Sequence, residues 1–295
     1  MSKRTLKNLI ILVIIVVAVV ALSSLQRASK AKSLAQDLTQ KDAYQAYKSM
    51  KKLAALGPSA MGNVVPLLRS ADGEVRARAL MLIGETGAQR YAPIVVRFLD
   101  DPAPDARIAA AVALGSLGDK DAAPQLQKLA MASDAPQPLD VRAAATRSLA
   151  RLALPESLPT FVALLQLPAT KANAPLREAA IVALGALHTP EAVTQLIQRL
   201  PAAAEKDPQV RALAAQGLAY AAQAGPDATD QAGQALLSGL AGPQQDPDSA
   251  VRIACAHSLA GMRFSGALYD QVQDALQTAQ NDPHFWVRRA ARESQ

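Results

Sequence analysis

The sequence predicts an all-α fold: an α-solenoid of about seven helix pairs, preceded by one transmembrane helix. A short phrase recurs seven times at a period near 35 residues, the length of a helix-pair repeat. Only 3% of the 295 residues are aromatic, and Ala and Leu carry the apolar fraction, which favours closely packed helices over strands. An apolar run stands near the N-terminus, where basic residues flank it.

The apolar run covers residues 9–25 and is interrupted only by Ser23 and Ser24. As a helix it is about 25 Å long, near the lower limit for a membrane span. We interpret it as an uncleaved signal anchor. The alternative is a signal peptide in which Ala21 and Ser23 are the −3 and −1 positions of the cleavage site. The expected organisation is a basic tail (1–8), a transmembrane anchor (9–25), a helical stalk (26–44) and the solenoid (45–295).

Charge flanks both ends of the apolar run. Lys3, Arg4 and Lys7 precede it and favour a cytoplasmic N-terminus, whereas Arg27 and the lysines after it weaken that preference. We expect a single-pass protein of a bacterial inner membrane with the solenoid in the periplasm, or an exported soluble protein if the segment is cleaved.

The net charge of +6 belongs to the N-terminal segment. Residues 1–52 hold ten Lys/Arg and two acids, whereas the remaining residues hold 21 Lys/Arg and 23 acids, a net −2. A nucleic-acid-binding solenoid is expected to carry a basic stripe on its folded part. The slightly acidic body therefore argues against a nucleic-acid partner.

Each phrase consists of an apolar residue, Arg, a small residue three positions after the Arg, and Leu or Ile four positions later, followed by another small residue. Val75-Arg76 with Ala79 and Ile83-Gly84 is the first copy. The apolar and small positions share one helical face, which a second helix must cover. The glycine at the end of three copies is expected to be a left-handed helix cap. The seven arginines are Arg76, Arg107, Arg142, Arg177, Arg211, Arg252 and Arg288.

Prolines and acids punctuate the repeats. Pro93, Pro124, Pro159 and Pro190 stand where the first helix of a pair begins, the position at which proline costs least. Acids precede the second helices, often as Asp-Pro, and are expected to cap those helices and to pair with the repeated arginines. The longest arginine interval, 41 residues, predicts a loop insertion around residues 225–227.

These Asp-Pro, Val-Arg, Ala and Leu-Gly phrases resemble the HEAT-repeat superfamily, in particular its bacterial phycobilisome-lyase-like HEAT repeats. The resemblance covers about residues 45–295. It implies a right-handed α-solenoid of HEAT-like helix pairs that binds other proteins. Residues 43–57 are interpreted as a degenerate leading repeat, which such folds use as a cap.

No pattern in the sequence predicts a catalytic or metal site. His188, His257 and His284 lack the His-Glu pairs of the HEAT-repeat hydroxylases, and no two share a helix at i, i+4. Cys255 occupies a core position that other repeats fill with Ala, and is expected to be an inert packed thiol. We therefore expect no enzyme activity, no cofactor and no metal.

The outward positions of the second helices, one and five residues after the arginine, are the candidate partner-binding face. In HEAT-like solenoids the second helices line the concave side, and an apolar groove there would suit an amphipathic helix or extended peptide. The repeated arginines are interpreted as structural, and Phe285 and Trp286 are expected to pack against the preceding repeat. The face residues are Met81, Ile108, Val112, Arg147, Val182, Gln216, Ile253 and His257.

The predicted function is a membrane-anchored protein–protein interaction scaffold whose partner is another protein or a peptide. The membrane itself is contacted through the N-terminal helix. The alternative is an enzyme accessory or chromophore-lyase-like protein of the same repeat family, although no residue in the sequence is suited to that chemistry.

Overall fold

The structure is a computed structural model that describes residues 3–132 and 138–293, with side chains from residue 12 onward except at 221 and 222. Across that part of the chain no strand occurs. Fifteen α-helices alternate with short 3₁₀ segments. The helices are α1 (Lys3–Asp37), α2 (Ala43–Leu56), α3 (Gly73–Glu85), α4 (Ala92–Val95), α5 (Pro104–Leu117), α6 (Ala123–Met131), α7 (Leu139–Leu152), α8 (Leu158–Leu165), α9 (Ala174–Leu187), α10 (Pro190–Arg199), α11 (Pro208–Leu218), α12 (Pro226–Leu240), α13 (Ser249–Gly261), α14 (Gly266–Ala279) and α15 (Phe285–Glu293).

The chain forms two compact units, residues 1–119 and residues 120–295. In the first unit the phrases lie on α3 and α5, and in the second they lie on α7, α9, α11, α13 and α15. Each of these second helices follows a first element, which is a 3₁₀ or mixed segment before α3 and α5 and a regular helix before the other five. The predicted all-α fold of repeated helix pairs is therefore confirmed. The cores of both units are built largely from Ala, Leu and Val, and Phe161 is the largest fully buried side chain described in the second unit.

Helix starts follow the expected chemistry. The four prolines predicted at first-helix starts occupy the first turns of α4, α6, α8 and α10. Asp72, Asp207 and Asp248 cap α3, α11 and α13, because each side chain accepts a backbone N–H two residues later.

The glycines that end the phrases have a different role from the one predicted. Gly84 and Gly185 are buried inside α3 and α9, and a Cβ on Gly84 would lie 2.6 Å from the Cα of Ala113 in α5. They allow close helix approach. The left-handed residue comes three positions later, at Gly87 with φ 66° and at His188 with φ 52°. The prediction was wrong because sequence spacing cannot locate the last helical turn.

The insertion in the 41-residue interval is only partly a loop. A 3₁₀ turn at Ala221–Ala224 and Gly225, with φ 118°, precede α12. Pro226 and Asp227 then form the first turn of α12, where proline is compatible with helix. The predicted loop residues therefore begin a 15-residue helix instead.

The helix that contains the apolar run continues into the fold. Side chains 12–22 of α1 are exposed, whereas Ala31, Leu34 and Ala35 near its C-terminal end and Leu38 just after it are buried. The Ser49 hydroxyl of α2 donates to Asp37 at 2.8 Å. The end of α1 thus forms a helix pair with α2. The side chains of residues 9–11 and of Lys3, Arg4 and Lys7 lie outside the described part.

Candidate protein-binding groove

The predicted face residues are largely accessible. In the first unit, Met81 and Val112 are exposed and Ile108 is half-buried. In the second unit, Ile253 is half-buried. The other four face residues of that unit are exposed: Arg147, Val182, Gln216 and His257. The helical spacing that put the small residues in the core leaves these positions outside it.

Three of them, Val182, Gln216 and His257, line one cavity of about 580 Å³ in the second unit. The cavity is formed by α9, α11 and α13. We call it the groove. Met81, Ile108, Val112, Arg147 and Ile253 do not line it. Its other lining residues are Gly185, Ala186, His188, Leu213, Gly217, Ala219, Tyr220 and Ser258.

Two glycines allow the close approach of α9 and α11 beneath the groove. A Cβ on Gly185 would lie 3.0 Å from the Cα of Gly217, and one on Gly217 would lie 3.2 Å from both methyl groups of Leu196. A side chain at either position would therefore force its neighbour to shift. The depression between α9 and α11 therefore follows from the absence of side chains there.

One edge of the groove carries an aromatic pair that the sequence did not reveal as a pair. The rings of His188 and Tyr220 are tilted by 40°, with centroids 6.3 Å apart, and both side chains are exposed. His188 is the left-handed cap of α9, a conformation that costs a non-glycine residue about 1–2 kcal/mol. A left-handed residue commonly ends a helix, and here it places the His188 ring beside that of Tyr220.

The groove combines an apolar floor with a few polar groups. Val182 and Leu213 offer apolar surface, while Gln216 and His257 offer hydrogen-bonding groups at the surface. The Ser258 hydroxyl is already used, because it donates to the carbonyl oxygen of Ala215 at 2.8 Å. A cavity of this size and composition is typical of sites that bind apolar groups with polar edges.

None of the repeated arginines lines this groove, and three of them bind an aspartate of the next repeat. Arg211 binds Asp246 through two hydrogen bonds of 2.6 and 2.8 Å, and Arg252 binds Asp282 in the same way at 2.8 and 3.0 Å. Arg76 makes the equivalent pair with Asp101. These guanidinium groups and carboxylates are buried, which supports the structural interpretation of the arginines.

The pKa values of two of the paired aspartates are lowered by their hydrogen bonds. Burial raises the pKa of Asp101, but the hydrogen bonds from Arg76 and from the Ala103 backbone outweigh that effect, so the net shift of its pKa is downward. The pKa of Asp282 is lowered by the same balance, with Arg252 and the His284 backbone as donors. Both carboxylates are thus held ionised.

Two arginines depart from this arrangement. Arg177 pairs with Glu205, a buried acid that the Asp-Pro pattern does not identify. Arg142 is half-buried and donates to the carbonyl oxygen of Ala130 at 3.0 Å, and burial lowers the pKa of its guanidinium. The remaining two, Arg107 and Arg288, donate to loop carbonyls such as Asp101 and Asp282.

Cys255 lies on the buried face of α13, and a Cβ on Gly239 would approach its sulfur to 2.9 Å. Burial raises the pKa of its thiol to about 12, so the thiolate that a nucleophile or metal ligand requires is scarce near neutral pH. Over the described residues, no group of three or more His, Cys, Asp or Glu side chains is placed to hold a metal ion.

Phe285 and Trp286 do not pack against the preceding repeat as predicted. More than half of each side chain is exposed, at 57% and 53%, and their rings meet edge to face at 5.1 Å. Both lie in the first turn of α15, whose buried face consists of Val287, Ala290 and Ala291. The helical phase therefore turns the two aromatic rings away from the core.

Family comparison agrees with this architecture. Residues 63–138 and 199–294, more than half of the chain, match the family described as HEAT repeats. The chain belongs to the HEAT-repeat family. Residues 176–200, which include most of α9 and all of α10, also match the PBS lyase HEAT-like repeat. No curated protein matches the HEAT-repeat chain by sequence.

Solved structures with a similar fold include three proteins of different kinds. Human deoxyhypusine hydroxylase in complex with glycerol is 20% identical over 93% of this chain and 97% of its own, with a TM-score of 0.40. The complex of CpcE and CpcF of phycocyanin lyase from Nostoc sp. PCC7120 is 19% identical over 83% and 92%, with a TM-score of 0.47. A mutant of Kap121p is 14% identical over 90% and 37%, with a TM-score of 0.49. These low scores carry no argument about function.

One helix within the described residues is long and apolar enough to cross a membrane by length and composition. It covers Leu12–Asp37, its most apolar window has a mean hydropathy of 2.0, and none of that window is buried. A signal anchor, a single span and a signal sequence all meet this description.

Proposed function

We propose that this HEAT-repeat protein is a membrane-anchored scaffold that binds a segment of another protein in the groove formed by α9, α11 and α13. The observation that carries the proposal is the groove itself. It combines exposed Val182, the half-buried Leu213 and the polar groups of Gln216 and His257 in one cavity of about 580 Å³. An amphipathic helix or extended peptide that places an apolar side chain against the glycine floor fits this chemistry.

Anchoring is supported by the exposed apolar surface of α1. Leu12, Ile14 and Leu22 are each more than half exposed, and the side chains around the helix between them are also apolar and exposed. Such a surface is stable in lipid and costly in water. We place the helix across a bacterial inner membrane and the repeats in the periplasm. The alternative is an exported soluble protein that has lost this helix.

Site-specific photo-crosslinking in the native membrane tests the binding site. A photoreactive benzoylphenylalanine replaces Gln216 in the groove or, as a matched control, the exposed Gln198 on α10. We expect a discrete adduct from position 216 only, and we expect Val182→Asp in the same chain to abolish it. Adducts from position 198 alone, or adducts insensitive to Val182→Asp, would contradict binding in the groove.

An enzyme accessory of the chromophore-lyase type is the second candidate, because the PBS lyase HEAT-like match covers α10 and most of α9, which borders the groove. Within this proposal His188, Tyr220 and His257 would contact the chromophore. Absorbance titration of the purified protein with a linear tetrapyrrole tests it. A spectral shift that His257→Ala removes would support the accessory role over the scaffold.

A further inference from the structure

A second cavity lies in the first unit where the apolar part of α1 ends. It has a volume of about 520 Å³ and lies between α1, the end of α2 and the segment that follows α2. Its walls combine small apolar side chains with a guanidinium and an amide. The lining residues are Ser24, Arg27, Ala28, Ala31, Ala55, Leu56, Ser59, Ala60 and Asn63.

The pairing of α1 with α2 places this cavity beside the part of α1 where the apolar run ends. α2 runs back along α1, because the hydroxyl of Ser49 contacts Asp37 and the later residues Leu56 and Asn63 line the cavity together with Ser24. Ser24 adjoins Leu25, the last residue of the apolar run, which is 70% exposed. If residues 9–25 span the bilayer, the cavity opens at the headgroup level.

The polar groups of the cavity suit an anion. Arg27 is exposed and makes no ion pair within the described part of the chain, and the Asn63 side chain provides an amide N–H₂ group. The Ser24 hydroxyl already donates to the carbonyl oxygen of Ala21 at 2.7 Å. Arg27 and Asn63 are therefore the available donors for a phosphate group.

The surroundings carry a positive charge. Lys30 and Lys52 are exposed near the same helix pair. The acids of this region are engaged elsewhere: Asp37 accepts from Ser49, and Asp42 caps α2. The exposed side chains of Ala28 and Ala55 offer apolar surface beside the donors. A ligand with an anionic phosphate and an attached apolar chain complements both features.

We propose that this cavity binds the headgroup of an anionic phospholipid, with the lipid phosphate on Arg27 and Asn63 and the glycerol region against the alanines. The inference rests on the proposed membrane anchoring and is independent of the groove. A lipid held there would fix the depth of α1 and bring the first helix pair onto the membrane surface.

Electron paramagnetic resonance of spin-labelled lipids tests the site on the full chain in phosphatidylcholine vesicles. We expect labelled phosphatidylglycerol to associate with the protein about fivefold more strongly than labelled phosphatidylcholine, the ratio for one well-placed cation at the surface. Arg27→Gln should remove most of this preference and Asn63→Ala part of it. Lys41→Gln, which removes the same charge in the turn at the other end of the helix pair, should leave it intact.

The outcomes separate the lipid site from the anchor. If the chain floats with the vesicles but shows equal association of both lipids, the lipid site is wrong while anchoring stands. Equal losses for Arg27→Gln and Lys41→Gln would also overturn it in favour of diffuse charge. Displacement of labelled phosphatidylglycerol by millimolar inorganic phosphate would show a soluble-anion site instead. A chain that fails to float contradicts the anchoring and the lipid site with it.

Discussion

Arg252 binds its own repeat to the loop of the next one. Arg252 holds both carboxylate oxygens of Asp282 and also donates to the carbonyl oxygens of Asp246 and Pro247. A planar guanidinium with five donors can satisfy two carbonyls and a carboxylate together, which lysine cannot. The same residue type in the last phrase, Arg288, donates only to carbonyl groups.

Removing Arg252 is therefore expected to be much more costly than removing Arg288. Arg252→Ala leaves the buried carboxylate of Asp282 unpaired and should lower the free energy of unfolding by about 3–5 kcal/mol. Arg288→Ala loses solvent-accessible hydrogen bonds and should cost about 1 kcal/mol. Urea unfolding of both variants measures the difference. Equal, small losses would show that the pair contributes little to stability.

His188 and Ala153 are a matched pair of left-handed helix caps. Both have positive φ, 52° and 49°, and end the second helices α9 and α7. Replacing either with Gly should stabilise the fold by about 0.5–1 kcal/mol, because glycine adopts this conformation without strain. Only His188→Gly should reduce crosslinking from position 216. Reduced crosslinking in Ala153→Gly as well would mean that His188 has no specific role.

At the scale of the helix, small residues determine how closely neighbouring second helices approach. Gly84 faces Ala113 across the α3–α5 contact, and Gly185 faces Gly217 across the α9–α11 contact. These three glycines lie inside helices, where glycine lowers stability by roughly 0.5–1 kcal/mol relative to Ala. The close contact offsets that cost by bringing more apolar surface together.

Substituting Gly84 is expected to separate α3 from α5. In Gly84→Ala the new Cβ would lie 2.6 Å from the Ala113 backbone, so one helix must move, at a cost of about 1–3 kcal/mol. Gly261→Ala is the matched control, because a Cβ there meets nothing within 4 Å. It should be neutral or slightly stabilising. Thermal melts compare the two. A neutral Gly84→Ala would show that the contact relaxes easily.

At the scale of the whole molecule, the N-terminal helix serves both the proposed anchor and the fold. Ala31 and Leu34 of α1 and Leu38 just after it are buried in the first unit. A chain that starts at residue 27 should therefore be soluble and folded, whereas one that starts at residue 45 should expose Ala46 and Leu53 of α2. The second chain should melt at a lower temperature and bind a hydrophobic dye. Identical melting of the two chains would show that α1 contributes nothing to the fold.

Orientation in the membrane is a separate prediction at this scale. The basic residues of segment 1–8 favour a cytoplasmic N-terminus, so an export-dependent reporter fused after the C-terminal residue should be active. Its cytoplasmic counterpart should be inactive, and the full-length chain should stay in the membrane after carbonate washing. An active cytoplasmic reporter would show that Arg27, Lys30 and Lys32 determine the orientation instead.

The sequence by itself determined the repeat architecture and the first turns of many helices. Recurrence of Arg with small and large apolar residues at helical spacing is a local pattern, and one face of a helix fixes which of its residues are buried. The predicted outward positions, such as Val182 and Gln216, are indeed accessible for the same reason. The prolines at helix starts and the aspartates before second helices are also local signals, because each acts on the helix that it begins.

Tertiary structure alone decided which distant residues meet. The pairing of Arg177 with Glu205, the opposition of Gly185 and Gly217, and the meeting of His188 with Tyr220 each join separate helices. The exposure of Trp286 depends on the phase of a single turn of α15. Such contacts depend on how the helices pack against one another and on the residue at which each helix ends. A periodic pattern within one repeat specifies neither the packing nor the helix end.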